Sequence, residues 1–286
     1  MLNTSVLSID ELDDFENFFS DVSIACKNHN IPSDSAISEN GVGQFEINLT
    51  HTSNPLISAD NALFFRRIVR GVAQSHGFKA TFMAKPFLDI AGNGMHLHLS
   101  ILNNLGDNIF NSKSESCDTI LKNAVGGLIN TMKESTLIFA PHLNSYRRLK
   151  PGTHAPTSIS WGYENRTASV RIPGGLPENT RIEHRVAGAD ANPYLVAAAI
   201  LSGVLDGIEK KTIVSDPIDG DSYAKNLEQI PSSWKSAVSI FRSGAFNKTF
   251  YSDTFIEVFS SLKLQEFNTF ADRMEDFEVA TYLDAI

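Results

Sequence analysis

The chain has 286 residues and a mass of 31.4 kDa, enough for one large domain or two small ones with a substantial core. Its 42% hydrophobic and 20% charged residues are typical of a folded globular protein and argue against disorder. The formal net charge of −9 and an isoelectric point near 5.4 disfavour a general nucleic-acid-binding protein, which needs a basic surface.

The first predicted elements are two helices. Ser8–Glu11 has the pattern of a capping box, and the apolar stripe that follows predicts a helix to about His29. A second helix is predicted from Ala59 to Ser75, with Ser58 as its N-cap and Gly77 as its stop. The N-terminus has no basic segment followed by an apolar one, so we predict no secretory signal.

Further helices are predicted over 118–133 and 192–210, and from 232 to 286 in three short pieces. The helix at 192–210 contains the longest apolar run, of about 12 residues, whereas a membrane span needs roughly 20. We therefore expect a buried helix there and no membrane partner. The segments 103–117 and 212–222 are polar loops, and neither resembles a domain linker.

Four short segments alternate between apolar and polar residues, which is typical of strands with one face toward a core. These segments are Gln44–Leu49, Met95–Ile101, Ala168–Ile172 and Arg181–Val186. Their polar positions are Glu46, His96, His98, Ser100, Arg171, Arg181, Glu183 and Arg185. The pattern favours an α+β fold in which a curved, mainly antiparallel sheet lines a polar cavity, with helices on its outer face. A charged solvent-facing sheet is the alternative, because cross-strand ion pairs are common.

Acidic and imidazole side chains on this face suit a divalent cation. Glu39 and Glu46 flank a Gly-Val-Gly sequence, which allows a tight turn that brings both carboxylates to one cavity. Together with His96 and Glu183 they form an oxygen-rich set, which fits Mg²⁺ or Mn²⁺ better than structural zinc. The alternative is that these glutamates are ordinary surface residues.

Arginines are concentrated in one part of this acidic chain. Those between residues 147 and 185 are Arg147, Arg148, Arg166, Arg171, Arg181 and Arg185. Such a cluster indicates a bound phosphate or carboxylate, with solvated salt bridges as the alternative. An arginine cluster together with a divalent cation indicates phosphoryl transfer, a reaction that depends on positioning and on charge neutralisation. The sequence has neither a P-loop nor a Rossmann glycine motif, so a nucleotide, if one binds, is held by another kind of site.

Several motifs, in order along the chain, resemble the catalytic domain of glutamine synthetases. They are Lys79–Pro86, Gly92–Ser100, Asn144–Leu149, Asn165–Thr167 and Arg181–Arg185. The segments Ser160–Arg166 and Val186–Tyr194 are most similar to the γ-glutamylpolyamine synthetase branch of the type I enzymes. The resemblance implies an enzyme that uses ATP to phosphorylate the γ-carboxylate of glutamate and then transfers the acyl group to an amine.

The resemblance also implies roles for individual residues. The implied metal ligands are Glu39, Glu46, His96 and Glu183. The implied nucleotide-binding residues are His98, Ser100, Arg171 and Arg181. Substrate binding is implied for Gly92, Arg148 and Arg185, and catalysis for Arg148, Arg166 and His154. The cofactors implied are ATP and Mg²⁺ or Mn²⁺, and the family forms stacked rings, so a homo-oligomer is expected.

Two residues depart from the pattern of ammonia-using glutamine synthetases. His154 stands where those enzymes have a catalytic glutamate after a Pro-Gly, and Ala91 replaces the asparagine that usually precedes the substrate-binding glycine. Both departures favour a bulkier amine, such as a polyamine, over free ammonia. His154 is a candidate base near pH 7, although a histidine on a loop is more often merely exposed.

Family members also carry an N-terminal domain, followed by a strand with a Glu-x-Glu motif that supplies metal ligands. The sequence contains no Glu-x-Glu. We therefore interpret residues 1–286 as a catalytic domain that lacks the N-terminal domain and the first metal-ligand strand. The alternative is a non-catalytic subunit that binds metal or nucleotide and assembles with a full-length relative. A guanidino phosphotransferase is a weaker third possibility. Cys26 and Cys117 form no disulfide framework, so we expect a cytoplasmic protein.

Overall fold

A computed structural model describes residues 9–111, 115–273 and 281. The helices in these ranges are, in chain order, α1 (Ile9–Asp14), α2 (Glu16–Asn28), α3 (Pro55–Ser75), α4 (Glu115–Phe139), α5 (Ser145–Arg148), α6 (Pro193–Glu209), α7 (Trp234–Ser243), α8 (Ala245–Phe250) and α9 (Asp253–Ala271). None of the helices within the described ranges is both long and apolar enough to cross a membrane.

The strands of the described ranges form two sheets. One is an antiparallel pair, β1 (Ser33–Ser38) and β2 (Phe45–Leu49). The other contains β3 (Leu97–Leu99), β4 (Trp161–Tyr163), β5 (Val170–Ile172) and β6 (Ile182–His184), in the order β3-β6-β5-β4. In this sheet β6 is antiparallel to both neighbours, whereas β4 runs parallel to β5. The fold is therefore mixed α+β, as the alternating patterns predict.

The four-stranded sheet differs from the expected one in its membership. The predicted strand at 44–49 forms β2, which pairs only with β1 among the described strands. Its place is taken by β4, which the sequence pattern missed because Trp161 and Gly162 are both buried and do not alternate with polar residues. The other three predicted strands, over 95–101, 168–172 and 181–186, are present but only three residues long each.

The main core lies between this sheet and the helices behind it. Val170 of β5 and Ile182 of β6 pack in one cluster with Leu128 of α4, Ile200 of α6 and Trp234 of α7. A smaller core joins α2 and α3 to the β1–β2 hairpin through residues such as Phe18. Each sheet thus has its own apolar support, which fixes where its polar side chains point.

Helices α4 and α6 approach each other backbone to backbone. A Cβ atom on Gly207 would lie 2.2 Å from the carbonyl oxygen of Asn123, and one on Gly127 would lie 2.0 Å from that of Gly203. Only glycine fits at such a crossing. The close contact makes α4 and α6 a rigid support behind the sheet.

The first two helices differ in detail from the prediction. The predicted first helix is divided at Phe15, whose N–H donates to the carbonyl of Leu12, one residue nearer than in an α-helix. The capping residue Ser8 lies outside the described residues. Helix α3 begins at Pro55 with Asn54 as its N-cap, so the prediction of Ser58 was wrong. The first turn of α3 contains Leu56 and Ile57 but is exposed, so it adds nothing to the buried face on which the prediction relied.

The later helices differ from the prediction mainly in their bounds. Helix α4 continues to Phe139 instead of ending at Lys133, and α6 agrees with the predicted helix over 192–210 to within one residue at each end, with Asn192 as its N-cap. The loop before α4 is less polar than expected, since Phe110 is fully buried in the main core. Helices α7 to α9 confirm the predicted three-piece C-terminal block up to Ala271, and 274–280 and 282–286 lie outside the described residues.

Candidate active site

Glu183 lies at the centre of a polar row that crosses the four-stranded sheet. The strand register places His98 of β3 opposite Glu183 of β6, and Glu183 opposite Arg171 of β5. Arg171 Nη1 donates to Glu183 Oε2 at 2.9 Å, and Arg185 Nη1 donates to Oε1. His96 Nδ1 lies 3.3 Å from the same Oε1. We refer to these five residues with Arg148 and Arg181 as the sheet cluster.

Charges and hydrogen bonds fix the protonation of this cluster. Burial raises the pKa of Glu183, but the hydrogen bond with His96 and the charge of Arg185 outweigh it and hold that pKa well below the usual range. Desolvation lowers the pKa of His96 to about 4 and also lowers the pKa of His98. Arg181 Nε donates to His98 Nδ1 at 3.1 Å, so this nitrogen carries a lone pair. The cluster therefore holds an ionised carboxylate beside imidazoles kept in their neutral form.

Arg148 is the most deeply buried guanidinium of the cluster, with 3% exposure. It belongs to α5, and its Nη1 and Nη2 donate to the carbonyls of Val186 at 2.8 Å and Arg185 at 3.2 Å. Its side chain packs against two glycines, because a Cβ atom on Gly92 would lie 3.1 Å from its Cγ and one on Gly94 2.8 Å from its Nη2. Burial lowers the pKa of Arg148 to about 10, which still leaves it charged at neutral pH.

Four of the remaining predicted residues gather around the β1–β2 hairpin, whereas Ser100 directly follows β3 and is exposed. Glu39 N donates to Gln44 O at 2.8 Å, which places the Glu39 and Glu46 side chains on the same face. Desolvation and the nearby charge of Glu46 raise the pKa of Glu39, and the charges of Arg166 and His154 partly oppose this. We refer to Glu39, Glu46, Arg166 and His154 as the hairpin cluster. Arg166 and His154 are both exposed.

The segment that contains Gly92 joins the two clusters. Gln44 Nε2 donates to Gly92 O at 3.0 Å and to Asn93 Oδ1 at 2.8 Å, so the hairpin is tied to the segment that packs on Arg148. Asn144, one residue before α5, exchanges two hydrogen bonds of 2.8 Å with the backbone of Lys85. Sequence reasoning assigned no role to Gln44 or Asn144. Both are uncharged, and only the position of Asn144 at the start of a family-like motif could have indicated one.

Residues 2–282 match the family described as glutamine synthetase, catalytic domain. The chain belongs to this family. It is 38% identical over 276 residues to the γ-glutamylputrescine synthetase PuuA of Escherichia coli, covering 96% of this chain and 58% of that protein. It is 34% identical over 254 residues to a glutamate–isopropylamine ligase of a Pseudomonas species, covering 87% and 55% respectively. The chain thus spans little more than half the length of these curated relatives.

The fold agrees with solved structures of the family. The structure of apo GmaS without ligand superimposes with a TM-score of 0.90 at 31% identity, covering 100% of this chain and 67% of that one. A GmaS/ADP complex superimposes with a TM-score of 0.89, also at 31% identity. The resemblance inferred from the motifs is confirmed at the level of family and fold.

The family implies a divalent metal, and the two clusters fit one unequally. Among the described residues, no three His, Cys, Asp or Glu side chains lie close enough together to hold a metal ion. The four predicted ligands form two pairs, one of His96 with Glu183 and one of Glu39 with Glu46. The second pair suits a cation, since neighbouring carboxylates repel each other without one. In the pair of His96 and Glu183, the Nε2 atom of His96 could still bind a metal, but both carboxylate oxygens of Glu183 accept hydrogen bonds from arginines.

Proposed function

We propose that the chain is the catalytic part of an ATP-dependent ligase that joins the γ-carboxylate of glutamate to an amine larger than ammonia. Three relatives are named for such products or substrates: γ-glutamylputrescine synthetase, glutamate–isopropylamine ligase and γ-glutamylethanolamide synthetase. The observation that carries the proposal is the buried guanidinium of Arg148, which packs against Gly92 and Gly94 because neither has a side chain, and whose planar donors suit a carboxylate or phosphate.

The reaction has two steps. An oxygen of the glutamate γ-carboxylate attacks the γ-phosphorus of ATP, and the bond to the leaving ADP breaks. The amine nitrogen then attacks the acyl carbon of γ-glutamyl phosphate, phosphate leaves and the nitrogen loses a proton. We assign charge neutralisation on the transferred group to Arg148 and Arg166, with further positive charge from Arg171 and Arg185. His154 is our candidate to accept the proton from the amine.

We assign different residues to the nucleotide and to its cation. We assign His98, Arg171 and Arg181 of the sheet cluster, together with Ser100, to the nucleotide, and the existence of a GmaS/ADP complex with the same fold supports a nucleotide site. Glu39, Glu46, His96 and Glu183 would hold Mg²⁺ or Mn²⁺. When bound, the cation supplies neutralisation of phosphate charge. Glu183 would have to exchange a guanidinium for the metal, so we expect Arg171 or Arg185 to turn toward the phosphates instead.

The proposal includes one cavity and an assembly. We infer that the sheet curves so that the sheet and hairpin clusters face the same space, because Gln44 ties the hairpin to Gly92. We also infer that the chain associates with further copies or with a longer relative, because the resemblance is to a family that forms stacked rings. Light scattering of the purified chain, alone and mixed with a full-length relative, measures that association directly.

The decisive experiment is an assay of ADP release with ATP, glutamate, Mg²⁺ and each of several amines. We expect turnover that requires both glutamate and an amine, with putrescine, isopropylamine or ethanolamine preferred over ammonia. Arg148→Lys should lower kcat/KM at least tenfold, whereas Arg242→Lys, on the exposed side of α7, should leave it unchanged. Preference for ammonia would contradict the choice of amine, and glutamate-independent ATP hydrolysis would contradict the ligase.

A second function is favoured by one observation. Both oxygens of Glu183 accept hydrogen bonds from arginines, which is the arrangement expected of a stable ion-pair network without metal. A non-catalytic subunit that binds nucleotide without turnover fits this arrangement. Calorimetry with Mg-ATP shows whether the chain binds the nucleotide, and the assay of ADP release separates the two functions, since the subunit should bind Mg-ATP but release no ADP when glutamate and amines are added.

A further inference from the structure

Helix α5 is attached at both ends to the same segment of chain. At its first residue, Ser145 Oγ donates to Asp190 Oδ2 at 2.7 Å. At its last residue, Arg148 donates to the carbonyls of Val186 and Arg185. Because α5 is only four residues long, these two attachments determine where the Arg148 guanidinium lies. Segment 185–190 therefore anchors both ends of α5 through hydrogen bonds.

Asp190 is also the acidic residue whose charge acts on Arg148. Within the described ranges, no carboxylate lies within ion-pair distance of Arg148, although its guanidinium is buried. The charge of Asp190 partly opposes the effect of burial on the pKa of Arg148, whereas the charge of Arg185 adds to that effect. Asp190 acts in the same way on Arg66, whose Nη2 donates to the carbonyl of Ala191 at 2.8 Å. A buried guanidinium is costly without such a counter-charge.

The backbone around Asp190 is shaped to keep its carboxylate in place. Oδ1 is buried without a hydrogen-bond partner among the described residues, which is unusual for a carboxylate oxygen. A Cβ atom on Gly188 would lie 2.3 Å from this oxygen, so only glycine fits beside it. Gly188 forms an isolated bridge with Gly94, and Ala189 N donates to Asn93 O at 3.0 Å. The same turn thus contacts both Arg148 and the glycine segment against which Arg148 packs.

We propose that Asp190 is a positioning residue for Arg148, acting through its hydrogen bond from Ser145 and through its negative charge. The inference rests on the proposed function, in which Arg148 binds the glutamate carboxylate and the transferred phosphate. Asp190 does not contact the substrate in this scheme. It sets the angle at which α5 presents the guanidinium toward Gly92 and Gly94.

The first test separates the two contributions of Asp190. Asp190→Asn keeps the size and the acceptor for Ser145 but removes the charge, and Ser145→Ala removes the hydrogen bond but keeps the charge. We expect Asp190→Asn to raise the KM for glutamate about tenfold with little change in the KM for ATP. Ser145→Ala should raise it about threefold, and the double variant should show less than the product of the two effects, because both act through one contact.

Asp206→Asn is the matched control, since Asp206 is also largely buried and pairs with Lys210 in α6, away from the site. It should lower the amount of folded protein without changing the KM for glutamate. If Asp190→Asn behaves like this control, with a lower kcat per total protein and an unchanged KM, Asp190 has a structural role only and the proposal is wrong.

A second readout does not depend on ligase activity. Modification of arginines by phenylglyoxal, resolved by peptide mass spectrometry, should be slow at Arg148 in the wild type and at least threefold faster in Asp190→Asn. The control Asp206→Asn should not change it. Faster modification at Arg66 alone would overturn the assignment to Arg148. If the wild-type chain releases no ADP while Arg148 responds as expected, the proposed function fails and the positioning of Arg148 by Asp190 stands.

Discussion

Glu183→Gln should destabilise the protein far more than the loss of an exposed ion pair does. Glu183 is 2% exposed and accepts hydrogen bonds from Arg171 and Arg185, which are themselves largely buried. Removing one partner of a buried ion pair costs about 3–5 kcal/mol, because the remaining charge is left uncompensated. Arg171 retains Glu164 at 3.1 Å, and a glutamine oxygen still accepts one bond. We therefore expect the lower end of that range, about 3 kcal/mol.

The measurement is urea unfolding followed by circular dichroism in buffer that contains EDTA. Glu257→Gln is the matched control, because Arg242 binds both oxygens of Glu257 at 2.7–2.8 Å with both side chains at least half exposed. Exposed pairs contribute about 0–1 kcal/mol. A free energy of unfolding for Glu183→Gln within 1 kcal/mol of that for Glu257→Gln, roughly the spread of exposed pairs, would refute the account of the sheet cluster as a desolvated ion-pair network.

Three further predictions concern stability. Asn54→Ala should lower the free energy of unfolding by about 1 kcal/mol, because Asn54 Oδ1 caps α3. Ser58→Ala is the control and should have no measurable effect in the same thermal melts. Gly207→Ala should destabilise by about 1–3 kcal/mol in urea because its Cβ would meet a backbone oxygen. Gly71→Ala, with open space around it in α3, should instead stabilise by about 0.5–1 kcal/mol, and equal effects would contradict the close helix crossing. Desolvation raises the pKa of Glu266, but hydrogen bonds from a lysine and a histidine outweigh this effect and lower that pKa below its ordinary value. The wild type should therefore exceed Glu266→Gln in stability at neutral pH. The difference should begin to fall as the pH drops below the ordinary carboxyl value of 4.5 and should vanish only below the lowered pKa of the folded state; a constant difference in pH-dependent melts would count against this ion pair.

Local patterns predicted those parts of the fold that depend on local interactions. The alternation in β3, β5 and β6 indicated the polar row because each strand must bury its apolar side against α4 and α6. The alternation could not show which strands pair. Apolar and polar residues alternate as clearly in β2 as in β6. The apolar side chains of β2 nevertheless pack on α2 and α3, and the strand belongs to a separate sheet. Strand pairing is decided by these distant contacts, which a single sequence does not display.

The candidate site shows the same division. Its charged members were candidates in the sequence because the same polar bias recurs on several alternating strands and because the arginines are concentrated between residues 147 and 185. The uncharged residues that hold them, such as Gln44 and Asn144, resemble ordinary surface residues in sequence. Asp190 lies within the family-like segment Val186–Tyr194 but had no assigned role, since its effect on Arg148 depends on α5 returning to segment 185–190.

The local distribution of charge is what suits this acidic protein to the anionic substrate that we propose. The chain carries a net charge of −9, which argues against polyanions as partners. The sheet cluster has the opposite balance. Its guanidiniums are Arg148, Arg171, Arg181 and Arg185, and the carboxylates that bind them are Glu164 and Glu183. The excess of positive charge is held in desolvated positions, where charges act most strongly. A phosphate or carboxylate that enters this site meets the local excess, while the acidic surface elsewhere repels larger polyanions. The proposed binding of small anions therefore depends on where the arginines lie and not on how many the chain contains.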